Sequence, residues 1–476
     1  MKARRRAGAR CRLKAWHILF LLLVAGLAIR LYPAVTHEFP VNFDSIYHAR
    51  IGQIVADTGW VPADDPAAGG RPHLYPPLYH LLLGYSSIAS GVPVIELVKY
   101  VLPIVSVLLI FTVFFMARRH SGEGVAIWAA AFVLFNPIIA AQSYDSPQLF
   151  GLLLFPIAAH LFLKRNYQIA GVLLGVCMLF NYSAAVAIIA VMALFAVMKA
   201  LRGDKKPAIC AGLTSAVGFG IASIWLFIAA SRAGRCLDLS TGVSTLIGLG
   251  FYNILAIVPL VAIWAFFVFY ALRERNDDYA LFWKAAMGIG TAGVIISLFE
   301  PRIHPYDQLL LFGLALSVLL AEMRLKLRYN LIIAILGIVL TLTVAAYVSP
   351  TLSSDDLAAA KWLVANHGGS VLANPEISGA INTLAAPKKV AVRTEFDLFL
   401  ECIPDSARWK EAYEALATRD DARAAGIMET YGIDYVIVGA RDVWNYDFDI
   451  EKFGRMESLQ EVFRSGETAV YARISQ

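Results

Sequence analysis

The sequence predicts a polytopic α-helical membrane protein of about 11 transmembrane helices, followed by a C-terminal extracytoplasmic α/β domain. Hydrophobic residues make up 58% of the 476-residue chain and charged residues only 16%, where about a quarter would be charged in a soluble protein. The excess is local: residues 1–349 are apolar runs separated by short polar joints, and residues 350–476 have ordinary globular composition. Basic residues gather in alternate joints, which is how orientation in a bilayer is set. That distribution argues against reading the net charge of +5 as a nucleic-acid surface.

A span needs about 20 mostly apolar residues at about 1.5 Å each. Runs that meet or approach this stand at 16–34, 95–116, 124–141, 147–163, 168–182, 184–199, 208–229, 245–271, 283–299, 305–322 and 330–348. The first follows the basic segment MKARRRAGARCRLK and could pass for a secretory signal; its length and the lack of a small-residue cleavage site make it an uncleaved helix. Between 168 and 199 the only joint is residues 181–183, either a turn or part of one long helix with a re-entrant piece.

With the N-terminus cytoplasmic, the inside segments before residue 349 hold 20 basic residues and the outside joints hold 5: Arg50, Arg71, Arg232, Arg235 and Arg302. The same parity decides the segment 74–90, LYPPLYHLLLGYSSIAS. Made to span, it would put Arg118 and Arg119 outside, and its tandem prolines suit the start of a helix rather than its middle. It is predicted to lie along the outer interface, with Tyr75, Tyr79, His80 and Tyr85 among lipid headgroups. Residues 35–94 then form one large outside loop.

Beyond residue 349, helix-like stretches near 355–366, 404–418, 420–431 and 456–464 alternate with β-rich strings at 370–374, 388–392, 434–439 and 468–474. This is the pattern of a small α/β domain with a partly parallel sheet. Gly432 is placed to end a helix in the left-handed conformation. No glycine-rich phosphate loop follows a strand, so nucleotide binding is not assigned. The five cysteines, at 11, 177, 210, 236 and 402, have no metal-ligand spacing, and Cys236 and Cys402 are the candidates for a disulfide outside the membrane.

Four polar clusters fall on the outside: Asn42, Asp44, His48 and Arg50; Asp64, Asp65, Arg71 and His73; Gln142, Tyr144 and Asp145; and Glu300, Arg302, His304, Tyr306 and Asp307. Asp44 and His48, four apart, share a helix face. Asp44 is either a helix cap or a general base or metal ligand. Asp145, just before Ser146 and Pro147, is either a cap of the next helix or a second rim carboxylate, able to bind a divalent cation or raise its partner's pKa. Arg302 and His304 read as interfacial anchors or as a phosphate clamp, since a guanidinium donates paired hydrogen bonds to phosphate oxygens. Arg71 and His73 offer the same chemistry. Asp64 and Asp65 read as solvated turn residues.

These motifs resemble those of the GT-C superfamily, polytopic glycosyltransferases that use lipid-phosphate-linked sugars. NFDSIYHAR (42–50) resembles their first-loop aspartate motif, HLYPPLYHLLLG (73–84) their Pro-Pro interfacial segment, and SYDSPQLF (143–150) their second acidic motif. YGIDYVIVG (431–439) is similar to a string in the outer domains of prokaryotic members. The likeness is greatest to archaeal oligosaccharyltransferase-like and protein-mannosyltransferase-like proteins. The Trp-Trp-Asp-Tyr-Gly sequon motif is absent, with VWNYD at 443–447 only echoing it.

The resemblance implies transfer, with inversion, from a polyprenyl- or dolichyl-phosphate-linked sugar to a protein, lipid or glycan acceptor at the outer face of the cell membrane. It implies catalytic roles for Asp44, Asp145 and His48, and substrate binding by Arg302, His304, Arg71, His73, Tyr79 and Glu300. Asp44 and Asp145 are also the candidate ligands of a divalent cation, Mg or Mn. Two other readings compete: an oligosaccharyltransferase acting on Asn-x-Ser/Thr peptides, and a lipid or solute transporter. Against the transporter, the charged residues concentrate at one face instead of lining a mid-helix path.

Overall fold

The computed structural model describes residues 2–41, 43–65, 71–144, 147–233, 277–299, 305–322, 327–347, 352–366, 369–384, 414–439 and 449–474. Helix α1 (Lys2–Thr36) leads into α2 (Phe43–Thr58), a short hairpin of β1 (Asp64–Asp65) and β2 (Arg71–Pro72), and α3 (Leu78–Ser90). The bundle continues with α4 (Val94–Ser121), α5 (Glu123–Leu134), α6 (Pro137–Ala141), α7 (Gln148–Leu163), α8 (Tyr167–Phe180), α9 (Tyr182–Ala200) and α10 (Lys206–Ala233). Its last described helices are α11 (Asp278–Phe299), α12 (Pro305–Glu322) and α13 (Leu327–Tyr347). Helices thus stand at every predicted run except 245–271, which lies outside the described residues.

Among the described residues, α1 from Ala15, α4, α9 and α10 are each long and apolar enough to cross a bilayer, and α5 with α6 makes a fifth candidate bent by 51°. The protein is therefore a multi-pass membrane protein. The bend has a local cause. Pro137 has no N–H to give, and Asn136 Oδ1 accepts from the N–H groups of Ile138 and Ile139 at 3.0 and 3.2 Å, starting a new helix. Between α8 and α9 the joint is Asn181 alone, extended at φ −161°, with its side chain accepting from the Ala184 N–H at 2.8 Å. The ambiguous segment is a turn between two helices.

Small residues let helices approach closely. A Cβ on Gly171 or Gly175 of α8 would lie 2.8 Å from the Thr214 carbonyl oxygen or 3.0 Å from that of Gly218 in α10.

Side-chain contacts sort the helix ends into two sets. At one end His120 meets His160 at 2.9 Å, Lys199 pairs with Asp278 at 2.9 Å, and Ser121 donates to Glu322. At the other end Ser45 meets the Tyr144 carbonyl, Asn181 meets Tyr75, and Arg232 meets the His73 carbonyl. Every one of these contacts joins segments that the charge pattern assigns to the same side.

Helix α3, opened by Pro77 and closed by Gly91 at φ +69°, has 13 residues and is too short to span. Its expected place among headgroups fits Tyr85, which is exposed, but not Tyr79 or His80, which are fully buried. The correction follows from packing: α3 lies so close on α2 that a Cβ on Gly84 would sit 2.9 Å from the Gly52 carbonyl oxygen. Asp64 and Asp65, read as solvated turn residues, form the short strand β1 paired with β2, and Asp64 is exposed.

The C-terminal part contains α14 (Ser354–Asn366), β3 (Val371–Leu372), α15 (Pro375–Leu384), α16 (Asp421–Thr430), β4 (Tyr435–Val438), α17 (Lys452–Arg455), β5 (Leu459–Ser465) and β6 (Thr468–Arg473). Its sheet runs β3-β4-β6-β5, with β3 parallel to β4 and the other pairs antiparallel. Gly432 takes φ +60° after α16, as expected. The stretch 456–464 differs: read as helix, it is mostly β5. Gly466, at φ +50°, turns the chain so that β5 finds backbone partners along β6, and that ladder outweighs local helix preference. The string 388–392, most of 404–418, Cys236 and Cys402 lie outside the described residues.

This part docks on the loop after α1. Phe39 and Ile46 pack with Leu352, Leu357, Ile377 and Val470 in one apolar cluster, and Lys361 pairs with Glu38.

Candidate functional site

Asp44 is the second residue of α2 and is exposed. It lies in the first turn, where unpaired N–H groups and the helix dipole favour a carboxylate. Around it α2 is held on two sides. Ile46, fully buried, packs against the C-terminal part; Ala49 joins the membrane-side core.

The residues flanking Asp44 and Asp145 meet directly. Ser45 Oγ donates to the Tyr144 carbonyl oxygen at 2.6 Å, across 99 residues of chain. Tyr144 closes a 3-10 turn, Gln142–Tyr144, whose Ser143 hydroxyl donates to the Ile139 carbonyl at 2.7 Å. Arg30 of α1, fully buried, reaches the same turn. Its Nη1 donates to Ser143 Oγ and its Nη2 to the Leu134 carbonyl, both at 2.9 Å. Sequence reasoning missed Arg30. The available signal was a lone arginine inside the first apolar run, a costly placement that marks a specific interaction.

His48, one turn after Asp44, is not beside it at the surface. It is buried, with Nδ1 2.9 Å from Nε2 of His80 on α3. Burial holds His48 down at about 3, with His73 adding to the effect. His80 also lies well below the ordinary histidine range through burial, with His48, His73 and Arg50 acting in the same direction. Both rings are therefore neutral at pH 7, and one donates while the other accepts. His73 is buried too, with Nδ1 3.2 Å from the Tyr47 hydroxyl. Tyr75 and Tyr79 set their rings edge-on to His48, at 5.0 and 5.1 Å. The cluster is a packed support behind α2, and it reaches α9 through Asn181, whose amide donates to the Tyr75 hydroxyl at 3.2 Å.

The other expected residues divide by what is described. Arg71 lies in β2, its side chain outside the described residues. Asp145, Glu300, Arg302 and His304 are also outside them. The residue at the N-terminal cap position of α7 is Pro147. Among the described residues, no three His, Cys, Asp or Glu side chains are grouped to hold a metal ion.

Comparison with solved structures shows that the fold is similar to that of several membrane glycosyltransferases. ArnT from Cupriavidus metallidurans, solved bound to undecaprenyl phosphate, is 14% identical, with a TM-score of 0.65 over 96% of this chain and 98% of that one. The archaeal oligosaccharyltransferase AglB from Archaeoglobus fulgidus, in complex with an inhibitory peptide and a dolichol-phosphate, is 13% identical, with a TM-score of 0.62 over 91% of this chain and 70% of that one. The mycobacterial arabinofuranosyltransferase AftD is 16% identical with a TM-score of 0.53, and only 40% of its chain is covered. No protein-family model matches the sequence, and no curated protein does.

Proposed function

We propose that the protein transfers a sugar, with inversion, from a polyprenyl- or dolichyl-phosphate-linked donor to a protein, lipid or glycan acceptor on the extracytoplasmic face. The observation that carries this reading is the Ser45–Tyr144 bond, which joins the turn bearing the exposed Asp44 to the residue directly before Asp145. The shared fold with proteins solved on dolichol-phosphate and undecaprenyl phosphate supports the donor class.

In this reading the acceptor oxygen or nitrogen attacks the anomeric carbon as its proton passes to Asp44. The bond from that carbon to the phosphate oxygen breaks, and polyprenyl phosphate leaves with the electron pair. Charge builds on that phosphate, so most of the rate advantage belongs to the groups that meet it, Arg302 and His304. Asp145 orients Asp44 or the acceptor, and Arg71 and Glu300 are assigned to substrate binding. A divalent cation, Mg or Mn, suits the oxygen donors of Asp44 and Asp145 and would add positive charge there. His48, His73 and Tyr79 brace α2 from behind, without touching substrate.

The chain in this reading makes 11 crossings, with domains 1–349 and 350–476 and a cytoplasmic N-terminus. The bias of 20 basic residues against 5 supports it. The contacts of Arg232 with His73 and of Lys199 with Asp278 support it too, since a single crossing between residues 233 and 277 requires Arg232 and Asp278 to lie among different sets of helix ends. The test is to incubate purified protein with radiolabelled polyprenyl-phosphate hexose and membranes, with and without a chelator. Label passing to a protein, lipid or glycan fraction is expected. Failure to label any fraction across donors of varied sugar and lipid length would overturn the proposal.

A further inference from the structure

We infer that Arg30 is a positioning residue for the reacting end of α2, acting through the Gln142–Tyr144 turn. The inference rests on the reading above that Asp44 does the chemistry, but its structural core is independent of it.

A guanidinium buried in a membrane helix is expensive, and an apolar side chain of similar reach would fill the space without desolvation. What arginine adds is a planar fork of directed N–H groups. One prong meets a need created by the helix break. The Leu134 carbonyl would ordinarily accept from the Ile138 N–H, four residues on. That N–H is instead engaged by Asn136 Oδ1 at 3.0 Å, so Arg30 Nη2 satisfies a carbonyl that the α5–α6 bend leaves over. The other prong holds Ser143, beyond the bend. A single rigid group on α1 thereby fixes both sides of the break.

From Ser143 the path to the site is short and continuous. The next residue, Tyr144, gives its carbonyl to Ser45, and Ser45 adjoins Asp44. Two hydrogen bonds and two peptide links therefore join the Arg30 guanidinium to Asp44. Loss of Arg30 frees the turn, and with it the point that sets where the first turn of α2 stands. Misplacement of a reacting group by about 1 Å can cost about a hundredfold in rate.

The experiment is a double-substitution cycle on the full-length purified protein, using Arg30→Met, Ser45→Ala and the pair together, with Arg30→Lys as the conservative variant. The expected result for Arg30→Met is a kcat about 10- to 100-fold lower with KM for the donor unchanged. Arg30→Lys, which keeps the charge but not the fork, recovers part of it. The losses from Arg30→Met and Ser45→Ala should not multiply in the double variant, because both act through one path. Multiplying losses, an unaffected kcat, or an effect confined to KM would overturn the inference. If Arg30→Met does not purify folded, Arg30→Lys completes the cycle with Ser45→Ala. If the wild-type protein transfers no sugar, the functional reading fails, and thermal unfolding of the same variants decides the linkage: non-additive shifts support it and additive shifts refute it.

Discussion

His48 Nδ1 and His80 Nε2 stand 2.9 Å apart at the buried junction of α2 and α3, one helical turn beyond the exposed Asp44. A neutral pair holds the two helices together there, so protonation must work against the fold.

Stability should therefore fall on acidification. The folded-state pKa of His48 is lowered to about 3 and that of His80 is lowered as well, mainly by burial. Between the unfolded value near 6.5 and the folded value the unfolded chain binds more protons. Stability is thus complete above about pH 6.5 and declines below it, by up to about 1.4 kcal/mol per pH unit for each fully titrating ring. Thermal unfolding of the purified protein from pH 7.5 to 5 checks this, and His80→Gln should flatten the slope. A pH-independent midpoint in the wild type would contradict it.

The α2–α3 crossing depends on glycine for closeness. A Cβ at Gly84 would come 2.5 Å from Val55 Cγ1 and 2.9 Å from the Gly52 carbonyl oxygen. Gly84→Ala, ordinarily a gain inside a helix, should here destabilise by about 1–3 kcal/mol through overpacking. Its thermal midpoint should drop, and a raised midpoint would show that the helices separate freely.

Two contacts join the C-terminal part to the segment running from the loop after α1 into α2, with very different expected weights. Ile46 is fully buried in the shared apolar cluster, so Ile46→Ala should cost about 2–5 kcal/mol. The Lys361–Glu38 pair is exposed, at 46% and 71%, so Lys361→Gln should cost about 0–1 kcal/mol. Denaturant titration compares the two. Equal effects would mean that the junction is held by charge.

Much of the helical layout was legible because apolar length and alternating charge are properties of the chain itself. The break at Asn136 and the one-residue joint at Asn181 rest on single local caps that apolar length does not register, and the reading of 456–464 as helix was overruled by strand pairing. There the cap at Ile138, the cap at Ala184 and the β6 ladder decided the outcome. At the candidate site, the sequence singles out Asp44 with Asn42, His48 and Arg50 by their place just after an apolar run. The inward turn of Tyr79 and His80 was not legible, because periodicity shows that a helix has an apolar face but not whether lipid or another helix covers it. Arg30 went unnoticed because its partners, Leu134 and Ser143, are 104 and 113 residues away.

The central claim is that Asp44 takes the acceptor's proton at a site bound to a lipid-phosphate sugar. The most direct measurement sets sugar transfer by Asp44→Asn beside its binding of the donor lipid, in the same purified preparation. Transfer should fall by about 100-fold or more, the range that one general base contributes, while donor affinity stays near that of the wild type. Near-normal turnover by Asp44→Asn would contradict the account.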